Sequence, residues 1–123
     1  MISLSGKRIL LVEDEYLLAR QLTRALAREG ASVVGCVATV AAALDQLARL
    51  PQIDLAILDI NLAGEPVYPV ATELRQRDVP FLFLSGYELE DRDPRFAGVP
   101  QLSKPITIAT LMTALRTIPA PPE

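Results

Sequence analysis

Short apolar runs alternate with segments of helical periodicity along almost the whole chain. The apolar runs predict five strands, at residues 8–13, 33–37, 54–58, 81–84 and around Leu102. Helical spacing of apolar residues predicts helices between or after them, at residues 18–26, 40–48, 70–74 and 108–118. Gly30 is placed to end the first helix, and Pro51 follows the second. A strict alternation of this kind leaves few folds open.

The predicted strands are apolar on both faces, which is typical of a parallel sheet covered by helices on both sides. Five such units predict an α/β fold, a doubly wound five-stranded parallel sheet with the flavodoxin-like strand order 2-1-3-4-5. In sheets of this kind ligands bind beyond the carboxyl ends of the strands, where strands one and three are neighbours. That edge is where we look for a site.

The chain has 123 residues, the usual size of one domain. We expect one unit at residues 1–118, followed by a short Pro-rich tail at 119–123, with no room for an output domain. The segment 88–99 should supply a further helix, but it is rich in charges and contains Pro94. We therefore predict a short, distorted or mobile helix there.

Two residue types limit the chemistry. The chain has no histidine and a single cysteine, Cys36, which excludes Ser-His-Asp and Cys-His catalysis, zinc clusters and an internal disulfide. Cys36 lies in an apolar run, so we predict a buried structural thiol. A metal would be bound by oxygen atoms, which suits Mg²⁺, with Mn²⁺ or Ca²⁺ as substitutes.

Charge and hydropathy limit the partners. The net charge is −3 and no Lys/Arg cluster stands out, so nucleic-acid binding has little electrostatic support. No secretory signal and no apolar stretch of membrane-spanning length is present in the sequence. We expect a cytoplasmic protein that makes no membrane contact.

Polar residues follow the predicted strands at the carboxyl edge of the sheet. They are Glu13 and Asp14 after strand one, Asp59 after strand three, Ser85 after strand four and Lys104 after strand five. Each alone has an ordinary interpretation as a helix cap, a turn residue or a helix start. Together, crowded carboxylates call for a cation, and a lysine and a hydroxyl suit a phosphoryl oxygen. The set predicts an anion site beside a metal.

Four motifs carry a family resemblance, in this order: Val12-Glu13-Asp14-Glu15, Leu58-Asp59-Ile60-Asn61, Ser85-Gly86-Tyr87 and Lys104-Pro105. The chain resembles the receiver domain of two-component response regulators over nearly its whole length. The resemblance implies that Asp59 is the phosphoacceptor and Asp14 a direct Mg²⁺ ligand. It also implies that Glu13 acts on the metal mostly through water and that Asn61 offers its backbone carbonyl. Ser85 and Lys104 would contact the phosphoryl group, and a cis bond would precede Pro105.

The same resemblance implies a phosphorelay in the bacterial cytoplasm. A sensor histidine kinase or a histidine phosphotransfer protein would donate the phosphoryl group, since this chain has no histidine of its own. Output would pass by protein contacts to an unknown downstream target, or the chain would act as a shuttle or phosphate sink. The domain would be no enzyme beyond its own phosphorylation and dephosphorylation.

Two positions depart from the usual receiver pattern. Gln101 stands three residues before the lysine, where most receivers carry Tyr or Phe as the output switch, and Tyr87 is a candidate substitute. The loop 64–69 is also unusual. Together with residues 80–87 it resembles a branch of single-domain receivers named FATGUY after its strand-four motif. Ser85 stands where that motif has Thr, and Leu84 where it has Ala.

Three alternatives stay open. An Mg²⁺-dependent phosphohydrolase that uses Asp59 as nucleophile usually has a second Asp two residues later, where this chain has Asn61, and a cap insertion. A pseudo-receiver scaffold would not need intact acids, Ser85 and Lys104. A nucleotide-binding module would need a Gly-rich loop after the first strand, which this sequence lacks.

Overall fold

A computed structural model of the chain describes residues 3–50, 52–86 and 93–118. The strands are β1 (Arg8–Val12), β2 (Ser32–Val37), β3 (Leu55–Asp59), β4 (Asn61–Leu62), β5 (Glu65–Pro66), β6 (Phe81–Ser85) and β7 (Gln101–Ser103). The α-helices are α1 (Tyr16–Arg28), α2 (Val40–Arg49), α3 (Tyr68–Gln76) and α4 (Ile108–Thr117). A 3₁₀ turn, Pro94–Phe96, precedes β7.

Five of the strands form one parallel sheet with the order β2-β1-β3-β6-β7. Counted within that sheet, this is the predicted order 2-1-3-4-5, so the predicted fold class is confirmed. The strands β4 and β5 pair with each other in a two-residue antiparallel hairpin after β3. The sequence predicted only a loop there.

The sheet separates two apolar cores. On β1, Ile9 and Leu11 pack on one side of the sheet, and Leu10 and Val12 pack on the other, as the two-residue period of a strand requires. One core includes residues of α1 and α4, and the other includes residues of α2 and α3. Helices therefore cover both faces, and β1, β3 and β6 are apolar on both sides because they lie inside the sheet.

Local sequence signals account for the helix ends. Thr39 Oγ1 accepts from the N–H of Ala42 at 3.0 Å, and Thr107 Oγ1 accepts from the N–H of Thr110 at 3.1 Å, so α2 and α4 each have a side-chain cap. Gly30 has a φ of +86°, which an L side chain adopts at a cost, and it ends α1 as predicted.

Phe96, the last residue of the 3₁₀ turn, anchors that turn to the sheet. Its side chain is buried and stacks on Tyr68 with ring centroids 5.5 Å apart, and it meets Phe81 and Phe83 edge-on. The Tyr68 hydroxyl accepts from the N–H of Asp93 at 3.1 Å. An aromatic cluster thus ties the approach to β7 to the start of α3.

Three expectations need correction or lie outside the structure. Cys36 is exposed, because β2 is an edge strand on which no residue is fully buried, so the predicted buried thiol is wrong. Ile108, predicted on the packed face of the last helix, is 40% exposed at the first turn of α4. In the segment 88–99, residues 93–99 contain a 3₁₀ turn and no α-helix, and the earlier residues, like the predicted tail 119–123, lie outside the described part.

Within the described ranges, every helix is too short or too polar to cross a bilayer.

Candidate functional site

The ladder of the parallel sheet brings the predicted site residues to one edge. Glu13 follows β1 directly, Asp59 and Ser85 are the last residues of β3 and β6, and Lys104 follows β7 directly. Backbone hydrogen bonds continue beyond the strand ends here. The N–H of Glu13 donates to the carbonyl of Val37 and the N–H of Lys104 donates to the carbonyl of Ser85, each at 2.9 Å. The side chains are therefore positioned by strand ends and do not depend on flexible loops.

Lys104 is the centre of the cluster. Its Nζ donates to Glu13 Oε1 at 3.0 Å, to Asp59 Oδ2 at 2.9 Å and to Glu15 Oε2 at 2.8 Å. Glu13, Asp59 and Lys104 are all buried, whereas the Glu15 side chain is 49% exposed. One ammonium thus holds three carboxylates that come from two different strand ends.

Glu13, Asp14 and Asp59 form a compact set of carboxylates. Each offers one oxygen, and these oxygens lie within 4.8 Å of one another. Glu13 Oε2 is buried and has no hydrogen-bond partner in the described structure. A buried carboxylate oxygen without a donor is costly, and a cation is one way to satisfy it. The donor set is all oxygen, which suits a hard divalent cation such as Mg²⁺.

Burial dominates the acid–base properties of these groups. It raises the pKa of Glu13 to about 7, although the N–H of Glu15 and the ammonium of Lys104 both lower that pKa. Burial also raises the pKa of Asp59, and Lys104 opposes the rise. Burial alone would lower the pKa of Lys104, but its three carboxylate partners outweigh that effect and raise it. Lys104 is therefore a permanent cation at the centre of the site.

Asn61 and the hairpin form one rim of the site. The N–H of Asn61 donates to Asp59 Oδ1 at 3.0 Å, and Asn61 Oδ1 accepts from the N–H of Gly64. Gly64 has a φ of +95°, as a tight hairpin turn requires. A cavity of about 220 Å³ opens beside this rim and is lined by Asp14, Glu15, Asp59, Asn61, Ala63, Gly64, Gly86 and Lys104.

Ser85 lies at the same edge but is turned toward β7. Its Oγ is 3.3 Å from Ser103 Oγ and 3.5 Å from the carbonyl of Leu102. The peptide bond between Lys104 and Pro105 is cis, which confirms the expectation drawn from the resemblance. Gln101 is half-buried in β7 opposite Phe83, and Tyr87, the suggested substitute switch, lies outside the described residues.

Sequence reasoning missed one member of the cluster. Glu15 belongs to the first motif, which indicates no role for it, and the structure places its carboxylate on Lys104. Its position was a usable signal, because an acid two residues beyond a strand end lies at the same sheet edge as a lysine that follows another strand.

Comparisons with known proteins find a matching family and related structures. The family model of the response regulator receiver domain matches residues 9–116 of this chain. The solution structure of SdrG from Sphingomonas melonis Fr1 superposes with a TM-score of 0.80 at 42% identity, covering 94% of this chain and 97% of that chain. The BeF3-activated conformation of SdrG from Pseudomonas melonis Fr1 superposes with a TM-score of 0.76 at 42% identity, covering 91% and 95% respectively.

A curated relative is similar over a shorter part of its length. The uncharacterized transcriptional regulatory protein YbdJ of Bacillus subtilis (strain 168) is 31% identical over 98 residues, which is 78% of this chain and 41% of that protein. Across the curated relatives it matches, the chain spans about half of their length, from 41% to 55%.

Proposed function

Because the chain belongs to the response regulator receiver domains of two-component signalling, we propose that it accepts a phosphoryl group on Asp59 from a histidine kinase or a histidine phosphotransfer protein. The observation that carries the proposal is the position of Asp59, which is buried at a strand end and bonded to Lys104 at 2.9 Å, with two further carboxylates beside it. Lys104 supplies part of the positive charge that a phosphoryl anion at Asp59 needs, and the crowded acids call for a divalent cation to supply the rest.

In the proposed reaction the phosphoryl group moves from a histidine nitrogen of the donor protein to a carboxylate oxygen of Asp59. A carboxylate oxygen of Asp59 attacks the phosphorus of a phosphohistidine, the P–N bond breaks, an O–P bond forms, and the leaving imidazole takes up one proton from solvent. The N–H of Asn61 holds the other oxygen of Asp59 in place at 3.0 Å. Lys104 would neutralise charge on an equatorial phosphoryl oxygen, and Ser85 would donate to another after turning away from β7.

The carboxylate set fits Mg²⁺, and we propose Mg²⁺ as the cofactor. Asp14, Asp59 and the backbone carbonyl of Asn61 would hold the ion, and Glu13 would act on it mostly through water. The unpartnered Glu13 Oε2 and the short distances within the acid set support this assignment. Bound there, the ion supplies positive charge beside the phosphoryl oxygens.

The related protein SdrG supports the assignment of Asp59. A BeF3-activated conformation of SdrG is known, and BeF₃⁻ mimics a tetrahedral phosphoryl group on a carboxylate. At 42% identity over 91% of this chain, the same mimic is a fitting probe for Asp59.

For output we propose contacts with a protein target in the cytoplasm, or a role as shuttle or phosphate sink, with no further enzymatic activity.

Intact mass spectrometry tests the proposal. The chain is incubated with Mg²⁺ and acetyl phosphate or phosphoramidate, and we expect an adduct of one phosphoryl group that requires the divalent ion. Asp59→Asn should abolish the adduct. Asp54→Asn is the matched control, because Asp54 lies just before the opposite end of β3 and bonds the N–H of Arg8.

The other outcomes identify the alternatives. Absence of an adduct with any divalent cation would refute the proposal in favour of a pseudo-receiver scaffold. Repeated release of phosphate from phosphate esters would instead favour the phosphohydrolase.

A further inference from the structure

The hydroxyl of Ser85 is directed toward β7 and away from the cavity beside Asp59. Its Oγ lies 3.3 Å from Ser103 Oγ and 3.5 Å from the carbonyl oxygen of Leu102, and both partners belong to β7. Among the described residues, the cavity of about 220 Å³ is lined by Asp59 and Lys104 but not by Ser85. A serine hydroxyl has one hydrogen, so it cannot donate to β7 and to a phosphoryl oxygen at the same time.

The register of two strands brings Ser103 to Ser85. The two residues are partners in the parallel ladder between β6 and β7, directly after the pair formed by Leu84 and Leu102. Because residues paired in register project from the same face of a sheet, the two hydroxyl groups lie side by side. The contact is therefore set by the backbone of two strands and does not depend on a loop.

The two ends of this contact differ in exposure. Ser85 is 4% exposed, so its hydroxyl depends on acceptors within the protein. Ser103 is exposed, and water can take the place of Ser85 beside it. The distances of 3.3 and 3.5 Å exceed the range of about 2.5 to 3.0 Å that is usual for a hydroxyl donor, so the contacts are weak. Ser85 can therefore leave β7 at low cost when a better acceptor is offered.

We propose that Ser103 is a positioning residue that holds the Ser85 hydroxyl toward β7 in the unphosphorylated protein and competes for it with the phosphoryl group. The inference rests on the proposed function of Asp59. Phosphorylation moves the Ser85 hydroxyl from Ser103 to a phosphoryl oxygen and leaves the Ser103 hydroxyl to water. The state of Asp59 thereby changes the hydrogen bonding of β7, which is an edge strand of the sheet.

The competition predicts a direction and a size. Ser103→Ala removes the competitor from the unphosphorylated state alone, so it should tighten the binding of BeF₃⁻ to the Mg²⁺-loaded protein. The expected gain is about two- to fivefold, the range for loss of one weak neutral hydrogen bond. Ser103→Thr keeps a hydroxyl on the same carbon and adds its methyl group to an exposed residue, so it should bind BeF₃⁻ as the wild type does.

A variant of Ser85 separates competition from a general disturbance of β7. Ser85→Ala should weaken BeF₃⁻ binding, because one donor to the phosphoryl mimic is lost. In the Ser85→Ala background there is no hydroxyl left to release, so adding Ser103→Ala should no longer change the BeF₃⁻ affinity.

The experiment measures two affinities for each variant. Beryllium is titrated at fixed fluoride and saturating Mg²⁺ and followed by ¹H–¹⁵N NMR, and Mg²⁺ binding without BeF₃⁻ is followed by calorimetry. The Mg²⁺ affinity should be the same in the Ser103 variants and the wild type, since Ser103 lies outside the carboxylate set. Ser32→Ala is the matched control, because Ser32 is an exposed serine of the other edge strand, β2, and it should match the wild type in both affinities.

Four results would overturn the inference. If Ser103→Ala binds BeF₃⁻ no more tightly than the wild type, Ser103 does not compete. If Ser85→Ala binds it as tightly as the wild type, Ser85 makes no contact with the mimic. If the gain from Ser103→Ala persists with Ser85→Ala, or is accompanied by a changed Mg²⁺ affinity, Ser103 acts through the strand and not through the Ser85 hydroxyl. If the wild-type protein itself binds no BeF₃⁻ at saturating Mg²⁺, the proposed function of Asp59 fails and the inference falls with it.

Discussion

Replacing Lys104 with methionine tests how much the central ammonium stabilises the fold. Methionine has a similar length and fills the same space without charge, so the carboxylates of Glu13 and Asp59 are left buried without their cation. We expect the free energy of unfolding in metal-free buffer at pH 8 to fall by about 3 to 5 kcal/mol, as is usual when one partner of a buried ion pair is removed.

The size follows from the contacts. At an effective dielectric constant near 20, a charge pair at the observed 2.9–3.0 Å attracts by about 5 to 6 kcal/mol. Glu15 is half-exposed, and its pair with Lys104 adds no more than about 1 kcal/mol. Two such pairs attract by about 11 kcal/mol, but burial of the ammonium costs several kcal/mol that the variant is spared, and the carboxylates left without it can take up protons. The net loss expected is therefore about 3 to 5 kcal/mol, as is usual when a buried ion pair is broken.

The loss should depend on pH. The pKa of Glu13 is about 7 in the folded protein, against 4.5 in the unfolded chain. The folded state therefore retains a proton that the unfolded chain releases, and stability falls as pH rises from about 4.5 to about 7. Lys104 lowers this pKa, so in the variant the pKa of Glu13 is higher and the free energy of unfolding keeps falling above pH 7. The loss at pH 8 should exceed the loss at pH 5.5.

Urea denaturation followed by far-ultraviolet circular dichroism, with EDTA present, measures these differences. Lys7→Met is the matched control, since Lys7 is the only other lysine in the chain, lies at the opposite end of β1, and should cost less than about 1 kcal/mol. A Lys104→Met loss below about 1 kcal/mol at pH 8, or an equal loss at pH 5.5 and pH 8, would refute the reasoning.

Three further predictions rest on other parts of the molecule. Mg²⁺ at ten times its dissociation constant should raise the free energy of unfolding by about 1.4 kcal/mol, and Asp14→Asn should remove most of that gain in thermal melts. Phe96→Ala should cost about 3 to 5 kcal/mol in urea denaturation, because its ring fills the aromatic cluster, yet leave the calorimetric Mg²⁺ affinity unchanged. The Cys36 thiol should react with an aromatic disulfide reagent in native buffer nearly as fast as in urea, and strong protection would contradict its exposure.

The sheet could be predicted because the apolar composition of its central strands indicates that they are buried on both faces. The runs that became β1, β3 and β6 are apolar without interruption, and only strands covered on both sides need such runs. Cys36 shows where that reasoning stops. Its strand is almost as apolar, but it lies at the sheet edge, and neighbours decide exposure there.

The sequence could predict which residues lie together in the site, because the carboxyl ends of parallel strands share one edge of the sheet. The distribution of the Lys104 donors was not predictable, since side-chain contacts at 3 Å depend on the exact twist and register of three strands. Burial of Phe96 was missed for a related reason. It lies in a charged segment without periodicity, and its ring is buried by partners distant in sequence, such as Tyr68.

The partners of Lys104 are remote in sequence, and this has a kinetic consequence. Glu13, Glu15 and Asp59 precede it by 91, 89 and 45 residues. Contacts that close such long loops are entropically costly before the strands between them have assembled, so we expect the ion cluster to form late in folding. Stopped-flow measurements should therefore find that Lys104→Met unfolds faster and folds at nearly the wild-type rate. The half-life of the folded chain would then depend on the same ammonium that we propose contacts the phosphoryl group.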